Sequence, residues 1–218
     1  MRLTWSPERA SKAYIETITA CKSCKESGVP ELVSAMAAGW NAQLILEMWA
    51  RGRPIATSIG LAISSRHTGG RHVCIVPDEQ SRSEYISIVG EIGSAPEIIV
   101  GEAEVAVGGV TGIDFMVVDC RQEDFGKLLR TARLGGRGAV LVCKNASSRI
   151  GSGFRWRSVV EGVGPRRLMR SVFLPVGKGL DIAYVATSGD DTSSSVRKTS
   201  RWIKCVDHES GEEIIIRK

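Results

Sequence analysis

The chain has 218 residues and a mass of 23.5 kDa, which fits one domain with a full hydrophobic core. Apolar residues make up 43% and charged residues 24%, which excludes collagen-like, fibrous and wholly disordered proteins. The 29 basic residues exceed the 24 acidic ones by only five, a surplus that permits an acidic ligand without requiring nucleic acid.

The first 40 residues predict two helices. Ser6 followed by Pro7 is typical of a helix start, because the hydroxyl caps the first turn and proline fits its first position. Apolar residues then recur at helical spacing. Pro30 opens a second helix that is expected to end near Gly39. We therefore expect an N-terminal helical segment over residues 1–40.

Between residues 41 and 187, short apolar runs alternate with helical patterns. Strands are predicted over 44–49, 72–77, 97–101, 113–119 and 139–143, and helices over 57–65, 84–92 and 122–134. Each parallel connection needs a crossover, so this alternation predicts an α/β fold. The expected core is Rossmann-like and doubly wound, with a mostly parallel sheet.

The C-terminal part has a different pattern. Strands are predicted over 171–175 and 180–186, followed by a polar segment, 188–201, that we interpret as a mobile loop. Residues 202–218 suggest a terminal hairpin. The whole chain, 1–218, is therefore interpreted as one domain with an antiparallel C-terminal strand or hairpin.

Membrane and secretion signals are not expected. No apolar run reaches the ~18 residues of a membrane span, and the start lacks the hydrophobic stretch of a signal peptide. The six cysteines are dispersed, several of them in strand-like runs, which favours buried thiols in a reducing compartment. The pair Cys21 and Cys24 stands alone, whereas a zinc site needs four ligands. We expect a cytoplasmic protein; a nuclear location is also compatible.

Ligands of an open doubly wound sheet bind beyond the carboxyl ends of its strands. Six stretches near these positions carry a family pattern: NAQLILE at 41–47, TSIGLA at 57–62, GEA at 101–103, DFMVVD at 114–119, LGG at 134–136 and LPVGKGL at 174–180. Together they resemble class I S-adenosylmethionine-dependent methyltransferases, particularly the caffeoyl-CoA O-methyltransferase type. The stretches WSPERASKAY at 5–14 and AAGWNA at 37–42 resemble a plant family of uncharacterised proteins assigned to this fold.

The resemblance implies a site for S-adenosylmethionine at the strand ends. Its candidate cofactor-binding residues are Glu47, Gly52, Ser58, Asp78, Glu79, Gly101, Ala103 and Asp119. Each has a simpler structural alternative. Glu47 either holds the cofactor or the loop, or accepts bonds from loop amides; Asp78 and Glu79 either bind ribose or cap the next helix. Gly101 and Ala103 either lie near adenine or only make a turn, and Asp119 either serves the site or caps a helix.

Three positions depart from the family pattern. Trp49 stands where the family has the first glycine of its cofactor loop. Its indole either fills the cofactor's place or points into the core because the loop is re-routed. Pro77 stands where the second strand should end in an acid, and Lys144-Asn145 replaces the Asp-Asn pair of metal-dependent members.

An ammonium at position 144 repels a divalent cation, so we expect no catalytic metal. Lys144 is either a general base, with a pKa lowered by burial, or the ion-pair partner of Asp119, which is the interpretation we favour. These two residues are the candidate catalytic groups.

The segment from Arg133 to Arg170 is the strongest charge feature, with nine basic residues against one acid. We expect an anionic small molecule or nucleic acid there, with a base stacked on Trp156; a solvated basic face is the alternative. The candidate contacts are Arg149, Arg155, Trp156, Arg157, Arg166 and Arg167.

Two hypotheses of function follow. The first is a metal-independent methyltransferase that uses S-adenosylmethionine and whose acceptor the sequence does not identify. The second is a non-catalytic protein of the same fold that binds an anionic ligand, a protein or a nucleic acid. The ordered strand-end pattern favours the first, and Trp49, Pro77 and Lys144 favour the second.

Overall fold

The structure is a computed structural model. It describes residues 5–24, 28–90, 96–122, 124–149, 154–161 and 163–187, together with the backbone of Trp202–Val206 and Glu213–Arg217. The predicted mobile loop over 188–201 lies outside the described residues.

Two helices precede the sheet, as predicted: α1 (Pro7–Ala20) and α2 (Val29–Gly39). The Ser6 hydroxyl caps α1 by accepting a bond from the Arg9 amide at 3.4 Å. The buried side of α1 includes Thr17, whose hydroxyl donates to the Ser34 hydroxyl of α2 at 2.9 Å. Small residues and this internal hydrogen bond allow the two helices to pack closely.

Strands and helices alternate regularly over residues 44–113, and the chain ends in four consecutive strands. In order they are β1 (Leu44–Met48), α3 (Ala56–Thr68), β2 (Arg71–Val76), α4 (Glu79–Val89), β3 (Glu97–Val100), α5 (Ala103–Gly109), β4 (Thr111–Ile113), β5 (Phe115–Asp119), α6 (Phe125–Thr131), β6 (Arg133–Leu134), β7 (Ala139–Lys144), α7 (Trp156–Val160), β8 (Arg166–Leu174), β9 (Leu180–Thr187), β10 (Trp202–Val206) and β11 (Glu213–Arg217). A short 3-10 helix, Ala146–Arg149, follows β7.

Seven strands form one sheet in the order β3-β2-β1-β5-β7-β9-β8. The first five are parallel, whereas β9 runs antiparallel to β7 and β8 runs antiparallel to β9. Strands β10 and β11 form a separate antiparallel pair. This topology confirms the predicted Rossmann-like, mostly parallel α/β fold with antiparallel strands at its C-terminal end.

Several predicted boundaries need correction. The strand expected over 113–119 is divided at Asp114 into β4 and β5, and the Asp114 carboxylate accepts a bond from the Leu44 amide at 2.9 Å. The helix expected over 122–134 is shorter, because Arg133 and Leu134 pair with β4. Helix α4 begins at Glu79, five residues before the predicted start, since Asp78 caps it.

The core lies on both faces of the sheet, because side chains alternate along each strand. On β5, Phe115 and Val117 face a cluster formed with α2 and α3, whereas Met116 and Val118 face a cluster formed with α5, α6 and α7. In the part of the chain that the structure describes, no helix is long and apolar enough to cross a membrane.

Candidate functional site

The carboxyl ends of the five parallel strands meet at one edge of the sheet. Strand pairing aligns Glu47 with Cys74 and Val117, Val76 with Val100, and Asp119 with Lys144. The sequence-based expectation that these strand ends share an edge is therefore confirmed. This edge is where ligands bind in open parallel sheets.

The loop after β1 is re-routed around Trp49. The indole is 4% exposed and packs edge-to-face on Tyr85, with ring centroids 5.5 Å apart. Its Nε1 donates to the Arg53 carbonyl at 3.3 Å. Trp49 thus belongs to the core beside α3 and α4, and of the two predicted orientations the core one is correct. The following residues are exposed; Gly52 has φ of +76°, and a Cβ there would meet no atom within 4 Å.

Glu47 is buried and is held by three side chains. Its carboxylate accepts bonds from Ser58 Oγ at 2.9 Å and Tyr85 Oη at 2.7 Å, and lies 3.0 Å from His72 Nε2. Burial would raise the pKa of Glu47, but these contacts and the charge of Lys144 hold it below its usual value. The expectation that loop amides bind Glu47 is wrong, because the carboxylate points between the helices.

Two of the predicted cofactor residues, Glu47 and Ser58, therefore contact each other inside the protein. His72 was not among the predicted site residues, and its buried Nδ1 has no hydrogen-bond partner among the residues that the structure describes. Its position on a strand expected to be apolar was the only sequence signal for this network.

The acids after β2 lie at the surface of the edge. Asp78 caps α4 by accepting a bond from the Ser81 amide at 2.7 Å, and this backbone bond lowers the pKa of Asp78. The capping alternative is thus confirmed for Asp78. Glu79 is exposed and pairs with Arg82 at 3.2 Å. Both carboxylates remain candidates for ribose contacts.

The turn after β3 leaves open space beside the carboxyl ends of the strands. Gly101 has φ of +150°, where side chains are rarely tolerated, and a Cβ there would meet no atom within 4 Å. Its amide donates to the Val76 carbonyl at 2.9 Å, which brings the turn beside the end of β2. Ala103 begins α5 and packs partly against the core.

The Asp119 carboxylate accepts hydrogen bonds from three side chains. Arg121 binds it through Nε at 3.1 Å and Nη2 at 2.6 Å, Arg53 through Nη1 at 3.3 Å, and Asn145 through Nδ2 at 3.0 Å. Burial opposes ionisation, but these donors lower the pKa of Asp119 below its usual value. The carboxylate is therefore ionised at neutral pH and poorly suited to accept a proton.

The predicted ion pair between Asp119 and Lys144 is wrong. Although the two residues are paired across β5 and β7, the Lys144 ammonium contacts Thr57 Oγ1 of α3 at 3.5 Å. The guanidinium of Arg121 lies only two residues beyond Asp119 and occupies its carboxylate instead. The sequence analysis did not identify Arg53 and Arg121 as site residues, because the sequence of a loop does not show which strand end its side chains contact.

The basic segment after β7 does not form the predicted binding surface as a whole. Trp156 is 5% exposed, and its Nε1 donates to Asp181 at 2.7 Å, so a base cannot stack on it. Arg166 is half-buried and donates to the Arg130 and Ala132 carbonyls at the end of α6.

The other candidates of this segment differ in their surroundings. Arg157 pairs with Glu161 at 3.9 Å, whereas the side chains of Arg155 and Arg167 are exposed. The side chain of Arg149 lies outside the described part of the structure. The tryptophan is buried because it begins a helix whose apolar side covers the sheet.

No group of three or more His, Cys, Asp or Glu residues in the described ranges is arranged to hold a metal ion. The absence of a catalytic metal stays a prediction that rests on Lys144.

Several solved structures that are similar to this chain are methyltransferases. A methyltransferase from Geobacter sulfurreducens has a TM-score of 0.58 at 19% identity, covering 83% of this chain and 89% of that one. The SAH-bound methyltransferase PaMTH1 of Podospora anserina has a TM-score of 0.57 at 14% identity, with 85% and 90% covered. A Staphylococcus aureus protein assigned as a caffeoyl-CoA O-methyltransferase has a TM-score of 0.54 at 16% identity, with 79% and 90% covered.

At these identities the similarity establishes a methyltransferase fold. No curated protein matches the sequence significantly. The model of one family, described as proteins of unknown function, matches residues 1–218, and the chain therefore belongs to that family, DUF1442.

Proposed function

We propose that this chain binds S-adenosylmethionine at the carboxyl edge of its sheet and transfers the methyl group to an acceptor. The observation that carries the proposal is the position of Trp49, whose indole packs in the core and not over the strand ends. The fold shared with an SAH-bound methyltransferase supports the same ligand.

The residues at the edge fit the adenosine part of the cofactor. Asp78 and Glu79 offer exposed carboxylates at the end of β2, where they would accept bonds from ribose hydroxyls. The open turn at Gly101 and the start of α5 at Ala103 would lie against adenine. Glu47 and Ser58 take no direct part, because they satisfy each other in the interior.

When bound, the cofactor supplies an electrophilic methyl group on a positively charged sulfur. Asp119 positions Arg53, Arg121 and Asn145 around the end of β5. It does not act as the base, since its pKa is lowered and its oxygens already accept several bonds. Lys144 remains the candidate catalytic residue for the proton that the acceptor must lose.

Isothermal titration calorimetry of the full chain with S-adenosylhomocysteine and S-adenosylmethionine tests this proposal. Glu79→Ala should weaken binding by about 10- to 100-fold, because a lost bond to a charged group costs about 1.5–3 kcal/mol. Arg82→Ala is the matched control, since it breaks the same surface ion pair and keeps the acid. No detectable binding heat at about 1 mM ligand would refute the proposal, since the free energy of binding would then be weaker than about −4 kcal/mol.

A non-catalytic binding protein is the second candidate. The observation that favours it is the enclosure of Asp119 by its own arginines, which places two guanidinium groups over the end of β5. Detectable ligand binding without methyl transfer to any acceptor class would support this candidate.

A further inference from the structure

The turn after α1 carries two cysteines, Cys21 and Cys24, that the proposed function does not use. We propose that they are a site of reversible oxidation, at which hydrogen peroxide converts the two thiols into an intramolecular disulfide. Closure of this disulfide also loosens the first turn of α3, which follows the loop after β1. In the reducing compartment that the sequence predicts, the dithiol is the resting state, and disulfides in such compartments are usually transient and regulatory.

The backbone brings the two cysteines close together. Cys21 is the C-terminal cap of α1, and the Cys24 amide donates to the Cys21 carbonyl at 2.9 Å. A turn closed by such a bond holds its first and fourth Cα atoms within about 7 Å of each other. Disulfides join residues whose Cα atoms are about 4.4–6.8 Å apart, so this turn needs little adjustment to accept one.

The side chains of both cysteines pack on the same part of the protein. Cys21 is buried in an apolar cluster between α1, α2 and α3 that includes Ala13, Ala38 and Ile59. Cys24 is partly buried and packs against this same cluster. The two side chains therefore converge on one region, whereas cysteines whose side chains point apart cannot be joined.

Exposure decides which of the two thiols reacts first. Among the cysteines whose side chains the structure describes, Cys24 is the only one that is not buried; the buried ones are Cys21, Cys74, Cys120 and Cys143. Peroxide reacts with the thiolate form of an accessible cysteine. Burial raises the pKa of the Cys74 thiol, which makes that cysteine a poor competitor. Cys24 is therefore the residue that meets the oxidant, and Cys21 is the second thiol, which closes the disulfide.

The oxidation takes place in two steps. The Cys24 thiolate attacks one oxygen of hydrogen peroxide, the O–O bond breaks, and the leaving hydroxide takes up the proton that Cys24 released. The Cys21 sulfur then attacks the resulting sulfenic acid; an S–S bond forms, the S–O bond breaks, and the hydroxyl leaves as water with the Cys21 proton. In total, two thiols lose two protons and two electrons, and one hydrogen peroxide becomes two water molecules.

Disulfide formation removes a contact at the start of α3. In the dithiol, Cys21 Sγ donates to the Ala56 carbonyl at 3.8 Å. A disulfide has no S–H group, so the carbonyl loses this donor. Ala56 is the first residue of α3, and Ile55 before it packs on the same cluster as both cysteines. Because a weak S–H bond shifts an opening equilibrium by about two- to fivefold, the first turn of α3 opens more often after oxidation.

Intact-mass spectrometry of the full chain after treatment with hydrogen peroxide tests the disulfide. The wild type should lose the mass of two hydrogen atoms, peptide mapping should join Cys21 to Cys24, and dithiothreitol should restore the original mass. Cys24→Ser should show no such loss, whereas Cys21→Ala should accumulate a sulfenic acid at Cys24 that dimedone captures. Cys143→Ala is the matched control and should oxidise like the wild type, because it removes a buried thiol of β7 and keeps the pair.

An unchanged mass of the peroxide-treated wild type, or a disulfide that does not join Cys21 to Cys24, would refute the proposal. Hydrogen–deuterium exchange measures the effect on α3. Amides in its first turn should exchange about two- to fivefold faster in the oxidised wild type than in the reduced protein, and Cys24→Ser should show no change on the same treatment. Equal exchange rates in the oxidised and the reduced wild type would overturn the coupling between the disulfide and α3.

Discussion

Replacement of Trp49 tests whether its indole supports the core or fills a ligand site. The side chain is 4% exposed and contacts Tyr85, Ala62 and Val76 in a cluster between the sheet and two helices. Trp49→Ala removes this packing and the bond from Nε1 to the Arg53 carbonyl. We therefore expect a large loss of stability and no gain in ligand affinity.

The magnitude follows from the contacts. Truncation of a well-packed aromatic side chain to alanine lowers the free energy of unfolding by about 3–5 kcal/mol. This range already includes contacts such as the edge-to-face packing on Tyr85, because it describes the loss of whole side chains. Trp49→Phe keeps an aromatic ring but loses the indole hydrogen bond and part of the volume, so a loss of about 1–2 kcal/mol is expected. Against a total stability of about 5–15 kcal/mol, the alanine variant would be marginally folded.

Urea unfolding followed by far-ultraviolet circular dichroism measures both losses, and calorimetry with S-adenosylhomocysteine measures binding. The reasoning predicts that the alanine variant loses stability and binds no more tightly than the wild type. A loss below about 1 kcal/mol together with tighter ligand binding would show that the indole occupies the ligand's place and would refute the core interpretation.

Three further predictions follow from buried or charged groups. Glu47→Gln should lower the free energy of unfolding at pH 7 by about 1–3 kcal/mol, because one of the two acceptor oxygens becomes an NH2 group that cannot accept bonds from the buried donors; the wild type should lose stability as the pH falls through the lowered pKa of Glu47. Trp156→Phe should lower the free energy of unfolding by about 1–2 kcal/mol through its lost bond to Asp181. Magnesium or calcium should not raise the melting temperature specifically, because Lys144 occupies a ligand position.

Each of these predictions has a control or a contrary outcome. The folded-state pKa of Glu47 is lowered, so its contribution to stability is complete above the unfolded-state pKa and lost as pH falls through the folded-state value. Acid unfolding that is equally steep in Glu47→Gln and in the wild type would contradict this. An unchanged free energy of unfolding in Trp156→Phe would contradict the buried position of the indole. Saturable stabilisation by metal that disappears in Asp119→Asn would overturn the metal prediction.

The sequence alone was sufficient to predict the fold and the location of the candidate edge. Strands such as β1 and β5 can be predicted from the local pattern of apolar residues, and this pattern can be read from a single sequence. Local chemistry also predicted the Ser6 cap of α1 and gave the Asp78 cap of α4 as one of two alternatives, because a capping residue lies within three residues of its partner amide.

Tertiary structure decided the partners of the charged side chains. Arg53 reaches Asp119 across 66 residues of sequence, and Tyr85 reaches Glu47 across 38. Trp156 likewise faces Asp181 and the core, although its basic neighbours suggested an exposed position. Periodicity shows which side of a helix or strand is buried. It does not show which residue of another element a long side chain will contact. That choice depends on how strands and loops are packed, which no short stretch of sequence contains.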